Sequence, residues 1–273
     1  MRLLRFLVVV LFILVSGVYA WFYFYNQANT DLTIPQISFG SDVLEIPVNA
    51  AEADLLRDVR AQDEKDGDLS SRVIVEKISN FVAKGLSNIT YAVVDNDRHT
   101  VKATRRVRYT DYLPPRFTLS QPMRFDVGSS FNILRAIGAV DVIDGDISGK
   151  IKLIGSDLIV NTPGVYSMQA QVTNSKGDVS YLRFNVTMTQ ARRLALNVSL
   201  REYLVYLNLG DPFTPEDYLL EVSQAGQPLA EYDLQVTSNM ETGRPGMYTV
   251  LYSVLDSRGQ AGETELAVIV EEN

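Results

Sequence analysis

The hydrophobic pattern divides the chain into one continuous apolar segment and many short alternating ones. Residues 6–25 (FLVVVLFILVSGVYAWFYFY) contain no charged residue, and twenty residues at helical rise cover about 30 Å, the thickness of a bilayer's hydrocarbon core. The pattern predicts one transmembrane helix over 6–25. Beyond it, apolar residues recur at every second position in short runs bounded by Gly, Pro, Asp and Asn, which is typical of β-strands.

Basic residues around the apolar segment predict its orientation. Arg2 and Arg5 precede it, and the next basic residue is Arg57. By the positive-inside rule, residues 1–5 are cytoplasmic and the rest of the chain is extracytoplasmic. The polar residues 26–35 are then a short stalk, and the protein is predicted to cross the cell membrane once.

A cleaved signal peptide is the alternative interpretation of this segment, because Val18-Tyr19-Ala20 is an acceptable cleavage site. Five consecutive aromatic residues follow at 21–25. They suit the membrane–water interface and would be an awkward exposed start for a mature soluble protein. We therefore favour an uncleaved signal anchor, and both interpretations place the body outside the cytoplasm.

Three similar segments follow one another along the chain: KGLSNITYAVVDND, PGVYSMQAQVTNSKG and PGMYTVLYSVLDSRG. Aligned on their glycines, they place apolar residues at alternate positions and end in an Asp or Asn turn, whose side chain bonds its own backbone. Another strand follows each turn, so each unit closes on an antiparallel β-hairpin. The aligned residues are Gly85, Gly164 and Gly246; Tyr91, Ala170 and Tyr252; and Asp95, Asn174 and Asp256.

These repeats predict an all-β protein with three tandem immunoglobulin-like β-sandwich domains behind the helix. A single antiparallel sheet would leave its apolar face wet, so units of this size favour two packed sheets. Boundaries fall near Leu113-Pro114-Pro115 and Ala191-Arg192-Arg193. The predicted domains are 36–112, 113–191 and 192–273.

Two of the units share an acidic motif, A-x-D-x-x-D-G-D-[LI]-S, at residues 61–70 and 139–148. Together with the Gly-x-Tyr strand and the Asp/Asn-x-x-Gly turn, it resembles the immunoglobulin-like repeats of many bacterial surface proteins, which are named after a pesticidal crystal protein. The resemblance implies the fold and little about activity, because these repeats are accessory modules in many proteins. The third unit has no carboxylate in the matching stretch, 223–228.

Each acidic motif places three carboxylates around a glycine that permits a tight turn. Ca²⁺ takes about six to eight oxygen ligands, which three carboxylates, backbone carbonyls and water could supply. The alternative is structural, since Asp-Gly is a preferred turn pair and Asp side chains bond nearby N–H groups. The candidate calcium ligands are Asp63, Asp66, Asp68, Asp141, Asp144 and Asp146.

Composition narrows the functional classes. The chain has no Cys, so neither disulfides nor thiol chemistry contribute, and its net charge of −8 disfavours nucleic-acid binding. A basic run in the first unit is interpreted as a solvated strand face. The single His99 lies in a turn, and no catalytic motif is present. The basic run consists of Lys102, Arg105, Arg106 and Arg108.

These observations predict a non-catalytic envelope protein that binds or spaces a protein or glycan partner. The third domain lies farthest along the chain from the membrane, so it is expected to be the recognition end. Tyr203, Tyr206 and Tyr218 are candidate contacts there, and a role in the core is an equally good interpretation of each. One alternative is a structural subunit of a membrane or surface assembly. Another is a glycan-processing enzyme that uses only carboxylates.

Overall fold

The computed structural model describes residues 2–29, 33–190 and 194–272. Helix α1 covers Arg2–Asn29, so the first residues of the predicted stalk are helical. Within it, Arg5–Tyr25 is long and apolar enough to cross a membrane, with a mean hydropathy of 2.4. An N-terminal signal sequence has the same properties, so the structure leaves both interpretations of this helix open.

The chain separates into two compact units, residues 1–110 and 111–273. The first contains α1 and one β-domain, which we call domain 1. The second contains two further β-domains, domain 2 and domain 3, each with its own hydrophobic core. The predicted boundary at 191–193 lies outside the described residues. The all-β class is confirmed.

Domain 1 consists of two sheets around one core. A three-stranded sheet has the order β1-β3-β4 and a four-stranded sheet has the order β2-β7-β6-β5. A short helix, α2 (Glu52–Leu55), connects the two sheets. The strands are β1 (Gln36–Phe39), β2 (Val43–Ile46), β3 (Val59–Asp63), β4 (Gly67–Asp68), β5 (Ile74–Ala83), β6 (Leu86–Val94) and β7 (Thr100–Tyr109).

Domain 2 repeats this arrangement. Its sheets have the orders β11-β10-β8 and β12-β13-β14-β9, and a short helix, α3 (Ile133–Ala136), takes the place of α2. The strands are β8 (Arg116–Leu119), β9 (Arg124–Asp126), β10 (Ile137–Asp141), β11 (Gly145–Asp146), β12 (Lys152–Ser156), β13 (Gly164–Thr173) and β14 (Val179–Thr189).

Domain 3 has sheets of the orders β15-β17-β18 and β16-β21-β20-β19. A 3₁₀ turn at Pro215–Tyr218 stands in place of the short helix. The strands are β15 (Asn197–Leu200), β16 (Leu204–Asn208), β17 (Leu219–Gln224), β18 (Gln227–Pro228), β19 (Asp233–Ser238), β20 (Gly246–Leu255) and β21 (Ala261–Glu271).

The predicted closing hairpins are present in all three domains, as β6–β7, β13–β14 and β20–β21. In each domain an early strand joins the hairpin in parallel beside its last strand: β2 on β7, β9 on β14 and β16 on β21. The opposite edge is held by β5, β12 or β19. The pairing of β5 is interrupted three times and that of β12 once by bulges or irregularities.

The turn after each penultimate strand forms as the sequence predicts. The side chains of Asp95, Asn174 and Asp256 are buried and accept hydrogen bonds from backbone N–H groups two to four residues further on. Because the hydrogen bonds are local, each turn fixes the register of its hairpin.

The core of domain 1 contains a buried cation, which corrects the interpretation of the basic run. Arg106 and Arg108 are exposed on β7, but Arg105 points inward and is 4% exposed. In the hairpin register Arg105 stands opposite Ile89, where domain 2 has Phe184 and domain 3 has Leu266. A basic residue in a strand therefore does not by itself identify a solvated face.

Polar and aromatic groups surround the Arg105 guanidinium. Its Nε donates to the Tyr91 hydroxyl at 3.0 Å, and its Nη2 donates to the carbonyl oxygens of Arg57 at 2.8 Å and Leu55 at 3.3 Å. The guanidinium carbon also lies 5.2 Å from the centre of the Phe39 ring. These contacts compensate much of the cost of burying the charge.

Candidate functional site

The first acidic motif folds into a tight turn between β3 and β4. Oδ1 of Asp63 accepts hydrogen bonds from the backbone N–H groups of Lys65 at 2.9 Å and Asp66 at 3.0 Å. Asp68 accepts from the Ser70 N–H and hydroxyl at 2.9 and 2.5 Å. The intervening Gly67 has φ +75°, a conformation that favours glycine.

Asp66 serves a different contact from its two neighbours. Its carboxylate accepts from the backbone N–H and the side-chain amide of Asn96, both at 2.8 Å. Asn96 lies in the turn after β6, so Asp66 ties the acidic turn to the closing hairpin of the same domain. The three acids of domain 1 therefore have separate partners.

The second acidic motif reproduces this geometry in domain 2. Asp141 accepts from the N–H groups of Ile143 and Asp144, both at 2.9 Å. Asp144 accepts from the Ser175 N–H at 2.7 Å and hydroxyl at 2.5 Å, and pairs with Lys150 at 2.9 Å. Asp146 is held by the N–H and hydroxyl of Ser148, in the same way as Asp68 by Ser70.

These hydrogen bonds favour the charged carboxylates. Hydrogen bonds from Ser70 lower the pKa of Asp68, and those from Ser148 lower the pKa of Asp146. Burial acts to raise the pKa of Asp144, but hydrogen bonds from Ser175 and Lys150 outweigh it and hold the pKa below its ordinary value. All three carboxyl groups are ionised at neutral pH.

The turns do not gather their acids around a common point. Within 2–29, 33–190 and 194–272, no group of three or more His, Cys, Asp or Glu side chains is arranged to hold a metal ion. Calcium binding by Asp63, Asp66, Asp68, Asp141, Asp144 and Asp146 therefore stays a hypothesis. The contacts observed are hydrogen bonds within the turns and, for Asp66 and Asp144, hydrogen bonds to the closing hairpin.

The two turns differ at one buried position. In domain 2, Asn174 donates its side-chain amide to Oδ2 of Asp141 at 3.1 Å. Domain 1 has Asp95 in that register, and Oδ2 of Asp63 has no hydrogen-bond partner among the residues that the structure describes. Asp95 instead accepts from the backbone N–H and Nδ1 of His99, each at 2.7 Å. The single histidine of the chain thus pairs with a turn carboxylate.

The most extensive site that the structure adds is the contact between domains 2 and 3. The outer face of the β16-β21-β20 sheet packs against the hydrophobic core of domain 2. Leu204, on β16, is 6% exposed although it points away from the core of its own domain. The apolar residues of this face are Leu204, Tyr206, Met247, Ala267 and Ile269.

Charged groups extend this contact along β21. Arg124, on β9, donates through Nη2 to Glu263 at 2.8 Å and through Nη1 to Glu265 at 2.7 Å. The three side chains are 12–19% exposed. The Thr187 hydroxyl also donates to Glu265, at 3.2 Å. A bridged and largely desolvated group of this kind holds two surfaces in one register.

Tyr206 forms the centre of the contact. The backbone N–H of Phe117 donates to its hydroxyl oxygen at 3.0 Å, and the Arg116 guanidinium lies 4.8 Å from its ring centre. Burial raises the pKa of Tyr206 to about 12, although the Phe117 hydrogen bond opposes the shift. Arg116 also pairs with Glu271 at 3.0 Å. Domains 2 and 3 are therefore locked together by packing, hydrogen bonds and ion pairs.

This contact decides between the two roles that the sequence allows for the tyrosines of domain 3, in favour of packing. Tyr206 is an internal contact residue, and Tyr203 packs partly buried against the cores of both domains. Tyr218 stacks on Phe213, with ring centres 5.4 Å apart, and packs against the core of domain 3. These positions serve packing, and an exposed recognition patch on domain 3 needs other residues.

Sequence reasoning missed Arg124, Glu263 and Glu265, although one signal pointed to β21, the strand of the two glutamates. Residues 266–270 (LAVIV) form an unbroken apolar run, which is typical of a strand covered on both faces. The first, third and fifth of these residues face the core of domain 3. The second and fourth, Ala267 and Ile269, face domain 2.

Comparison with known proteins identifies the fold of the last domain. Residues 202–270 match the family model described as "Bacterial surface protein, Ig-like domain". Domain 3 is a bacterial surface immunoglobulin-like domain. The resemblance that the sequence motifs indicated is therefore confirmed, and an N-terminal apolar helix together with such a domain is the organisation of a surface or membrane protein.

A curated relative extends the similarity over most of the chain. The pesticidal crystal protein Cry22Aa of Bacillus thuringiensis is 30% identical over 220 residues, which cover 78% of this chain. The chain spans 29% of the length of that relative. The similarity therefore concerns a stretch of repeats within a longer protein.

Solved structures with similar arrangements are more distant. One contains the M60 catalytic domain with the CBM51-1 and CBM51-2 domains of Clostridium perfringens ZmpB; it is 15% identical, with coverage of 89% of this chain and 31% of that chain and a TM-score of 0.25. Drosophila N-cadherin EC1-3 is 10% identical, with coverage of 90% and 91% and a TM-score of 0.29. Similarity at this level carries no information about a ligand.

Proposed function

We propose that this protein is a membrane-anchored, extracytoplasmic binding module that holds a rigid two-domain body at the cell envelope for a protein or glycan partner. The observation that carries the proposal is the contact between domains 2 and 3. Its apolar face, the Arg124 bridge and the Tyr206 hydrogen bond fix two sandwiches as one body. A rigid body keeps its surface residues in a fixed geometry, which lowers the entropy cost of binding.

A non-catalytic role agrees with how the titratable groups are used. The acids of both turns accept backbone hydrogen bonds, and His99 pairs with Asp95. Glu263 and Glu265 bind Arg124. Catalysis by acid and base requires a group with a proton to exchange near a substrate site, whereas these groups are committed to structure.

The proposed topology places α1 in the membrane with its N-terminus in the cytoplasm. Arg2 and Arg5 precede the apolar span and support this orientation. The test is protease treatment of intact cells or spheroplasts that express the full chain with separate tags at its two ends. We expect loss of the C-terminal tag and protection of the N-terminal tag. Protection of both tags would contradict the proposal.

Retention by envelope material tests the binding role. The full chain, purified in detergent, is incubated with isolated cell walls and separately with solubilised envelope proteins. We expect saturable retention by one of the two. The matched comparison is Arg124→Glu, which places a third acid beside Glu263 and Glu265 and is expected to weaken the contact between the domains. Retention should fall in this variant if the rigid pair presents the binding surface. If the native chain shows no saturable retention, the proposal is wrong.

A further inference from the structure

Domain 2 has a cleft beside its contact with domain 3 that takes no part in either acidic turn. Its volume is about 710 Å³, which lies within the range of about 300–1,000 Å³ that is common for small-molecule sites. The cleft is formed by β9 and its flanking residues, by the segment that leads into α3, and by Arg135 of that helix. Arg124 lies at the border of the cleft. Its ion pairs with domain 3 therefore hold one wall of the cleft in place.

Two aromatic rings supply the apolar part of this cleft. Phe125 and Phe131 stack with ring centres 4.2 Å apart and an angle of 15° between the rings. Both side chains are only partly buried against the core of domain 2. Exposed faces or edges of such rings are favourable surfaces for the C–H groups of a pyranose ring, since burying them removes apolar area from water.

Polar groups with unused hydrogen-bonding capacity surround the rings. Within the part of the chain that the structure describes, the side chains of Gln121 and Ser130 have no hydrogen-bond partner. The side-chain oxygen of Asn132 accepts from Leu134 N–H at 3.1 Å, which leaves its amide nitrogen without a partner. Amides and a hydroxyl around an apolar wall suit a ligand that carries several hydroxyl or acetamido groups.

One uncompensated cation and one carboxylate also line the cleft. The Arg135 side chain is exposed and makes no ion pair or hydrogen bond within the described ranges, whereas Arg124 is neutralised by Glu263 and Glu265. Asp126 accepts from the Thr189 hydroxyl at 3.1 Å. A guanidinium binds a carboxylate through two parallel hydrogen bonds, and a carboxylate accepts from hydroxyl groups. The combination fits a ligand that has one acid and several hydroxyls.

We propose that this cleft binds an acidic sugar, a pyranose that carries a carboxylate, with Arg135 on the acid, Phe125 and Phe131 against the ring, and Gln121, Ser130 and Asn132 on its polar substituents. The proposal rests on the proposed binding function and specifies its ligand. A peptide fits less well. Strand β9 is only three residues long, too short for an extended peptide to add to the sheet by backbone pairing.

Titration of the full chain in detergent tests the assignment. The probe is the disaccharide of N-acetylglucosamine and N-acetylmuramic acid, whose lactyl group carries the carboxylate, and the neutral comparison is di-N-acetylchitobiose. We expect the acidic disaccharide to bind at least ten times more tightly than the neutral one. Arg135→Gln should remove that difference, because it keeps hydrogen-bond donors and removes the charge. Arg183→Gln, an exposed arginine on β14, is the matched control and should preserve it.

Two results would overturn the assignment. The first is equal binding of the acidic disaccharide by the native chain and by Arg135→Gln, or no binding by either. The second is displacement of the acidic disaccharide from the cleft by a short peptide that carries a carboxylate. Gln121→Ala gives an independent check, since it should weaken both disaccharides while the melting temperature stays unchanged. Retention by cell walls or envelope proteins without disaccharide binding would contradict only this inference and leave the binding role standing.

Discussion

Domain 1 and domain 2 build the same sandwich around opposite kinds of residue at one core position. Domain 1 has Arg105 opposite Ile89, and domain 2 has Phe184 opposite Met168. Arg105 is accepted because Tyr91, Leu55 and Arg57 direct oxygen atoms at its guanidinium. Domain 2 has Ala170 in the register of Tyr91. In domain 1 the buried charge is thus accompanied by its acceptors, which domain 2 lacks at the position of Tyr91.

The two domains also differ in how their surfaces are used. Domain 2 is fixed to domain 3 through Arg124, Glu263 and Glu265. The four-stranded sheet of domain 1 carries Arg106 and Arg108 exposed on β7. The contact of domain 2 with domain 3 thus depends on a few residues outside the core of the repeated unit.

Exchanging the core residue gives the largest expected effect. Phe184→Arg buries a guanidinium without the Tyr91 hydroxyl and removes a buried aromatic ring, so we expect a loss of more than about 4 kcal/mol and failure of domain 2 to fold. Pulse proteolysis and hydrogen exchange of β13 and β14 measure the outcome. Phe184→Leu is the control, with a loss of about 1 kcal/mol. A folded Phe184→Arg variant would show that the acceptors in domain 1 are dispensable.

Breaking the domain contact should have the next largest effect. Arg124→Gln leaves Glu263 and Glu265 close together and largely desolvated, and we expect a loss of about 2 kcal/mol in the unfolding free energy of domains 2 and 3. Urea unfolding followed by hydrogen exchange can detect separate transitions for the two domains. Arg183→Gln, on the same sheet of domain 2, should change the free energy by less than about 0.5 kcal/mol.

The reverse core exchange in domain 1 is expected to cost less. Arg105→Leu removes a buried charge but leaves the carbonyl oxygen of Arg57 without its donor, whereas the Leu55 carbonyl keeps the Tyr91 hydroxyl at 2.6 Å. The gain in apolar burial is therefore offset. We expect a net loss of about 1 kcal/mol, measured by hydrogen exchange of β6 and β7. Arg106→Leu, at the neighbouring exposed position, is the control. A gain in stability would mean that Arg105 is retained for a purpose other than folding.

Lowering the pH should destabilise the acidic turn of domain 2. The folded pKa of Asp144 lies below its ordinary value, so its contribution to stability is complete above the unfolded pKa of about 4 and is lost as the pH falls through the folded value. Asp144→Ala should lower the melting temperature slightly at neutral pH. It should also reduce the loss of stability below about pH 4. If the variant loses stability at low pH as much as the native chain does, Asp144 does not contribute to the pH dependence.

The calcium hypothesis carries the smallest expected effect. Ligand binding to the folded state raises the melting temperature, but all six acids already accept hydrogen bonds. Four accept them from their own turns, and Asp66 and Asp144 accept them from the turn of the closing hairpin. We therefore expect at most a small rise in millimolar CaCl₂. The double variant Asp141→Asn with Asp144→Asn tests the origin of any rise, which should disappear if the turn of domain 2 binds the ion. A flat titration of the native chain would remove the hypothesis.

Much of the fold followed from local patterns in the sequence. Alternating apolar positions located the closing hairpins, and Asp95, Asn174 and Asp256 marked their turns because their hydrogen bonds are made within a few residues. The Asp-Gly pairs likewise predicted tight turns. Such signals can be recognised in a sequence because the residues that determine the local structure lie within a few positions of it.

Contacts between distant segments could not be predicted in the same way. Arg124 contacts Glu263 and Glu265 only after two domains have folded and packed. No residue near Arg124 in the sequence predicts these ion pairs. The inward direction of Arg105 depends on carbonyl oxygens about fifty residues earlier in the chain. The cleft of domain 2 is likewise formed by side chains whose exposure depends on tertiary packing.

The irregular outer strands have a consequence for a chain that carries three copies of one fold. Neighbouring domains with similar strands risk exchanging them or pairing edge to edge, which leads to misfolding and aggregation. The parallel strands β2, β9 and β16 cover one side of each hairpin, and the bulges in β5 and β12 interrupt the regular row of amides on the other. These strands therefore help each copy to pair with itself during folding, before any partner is met.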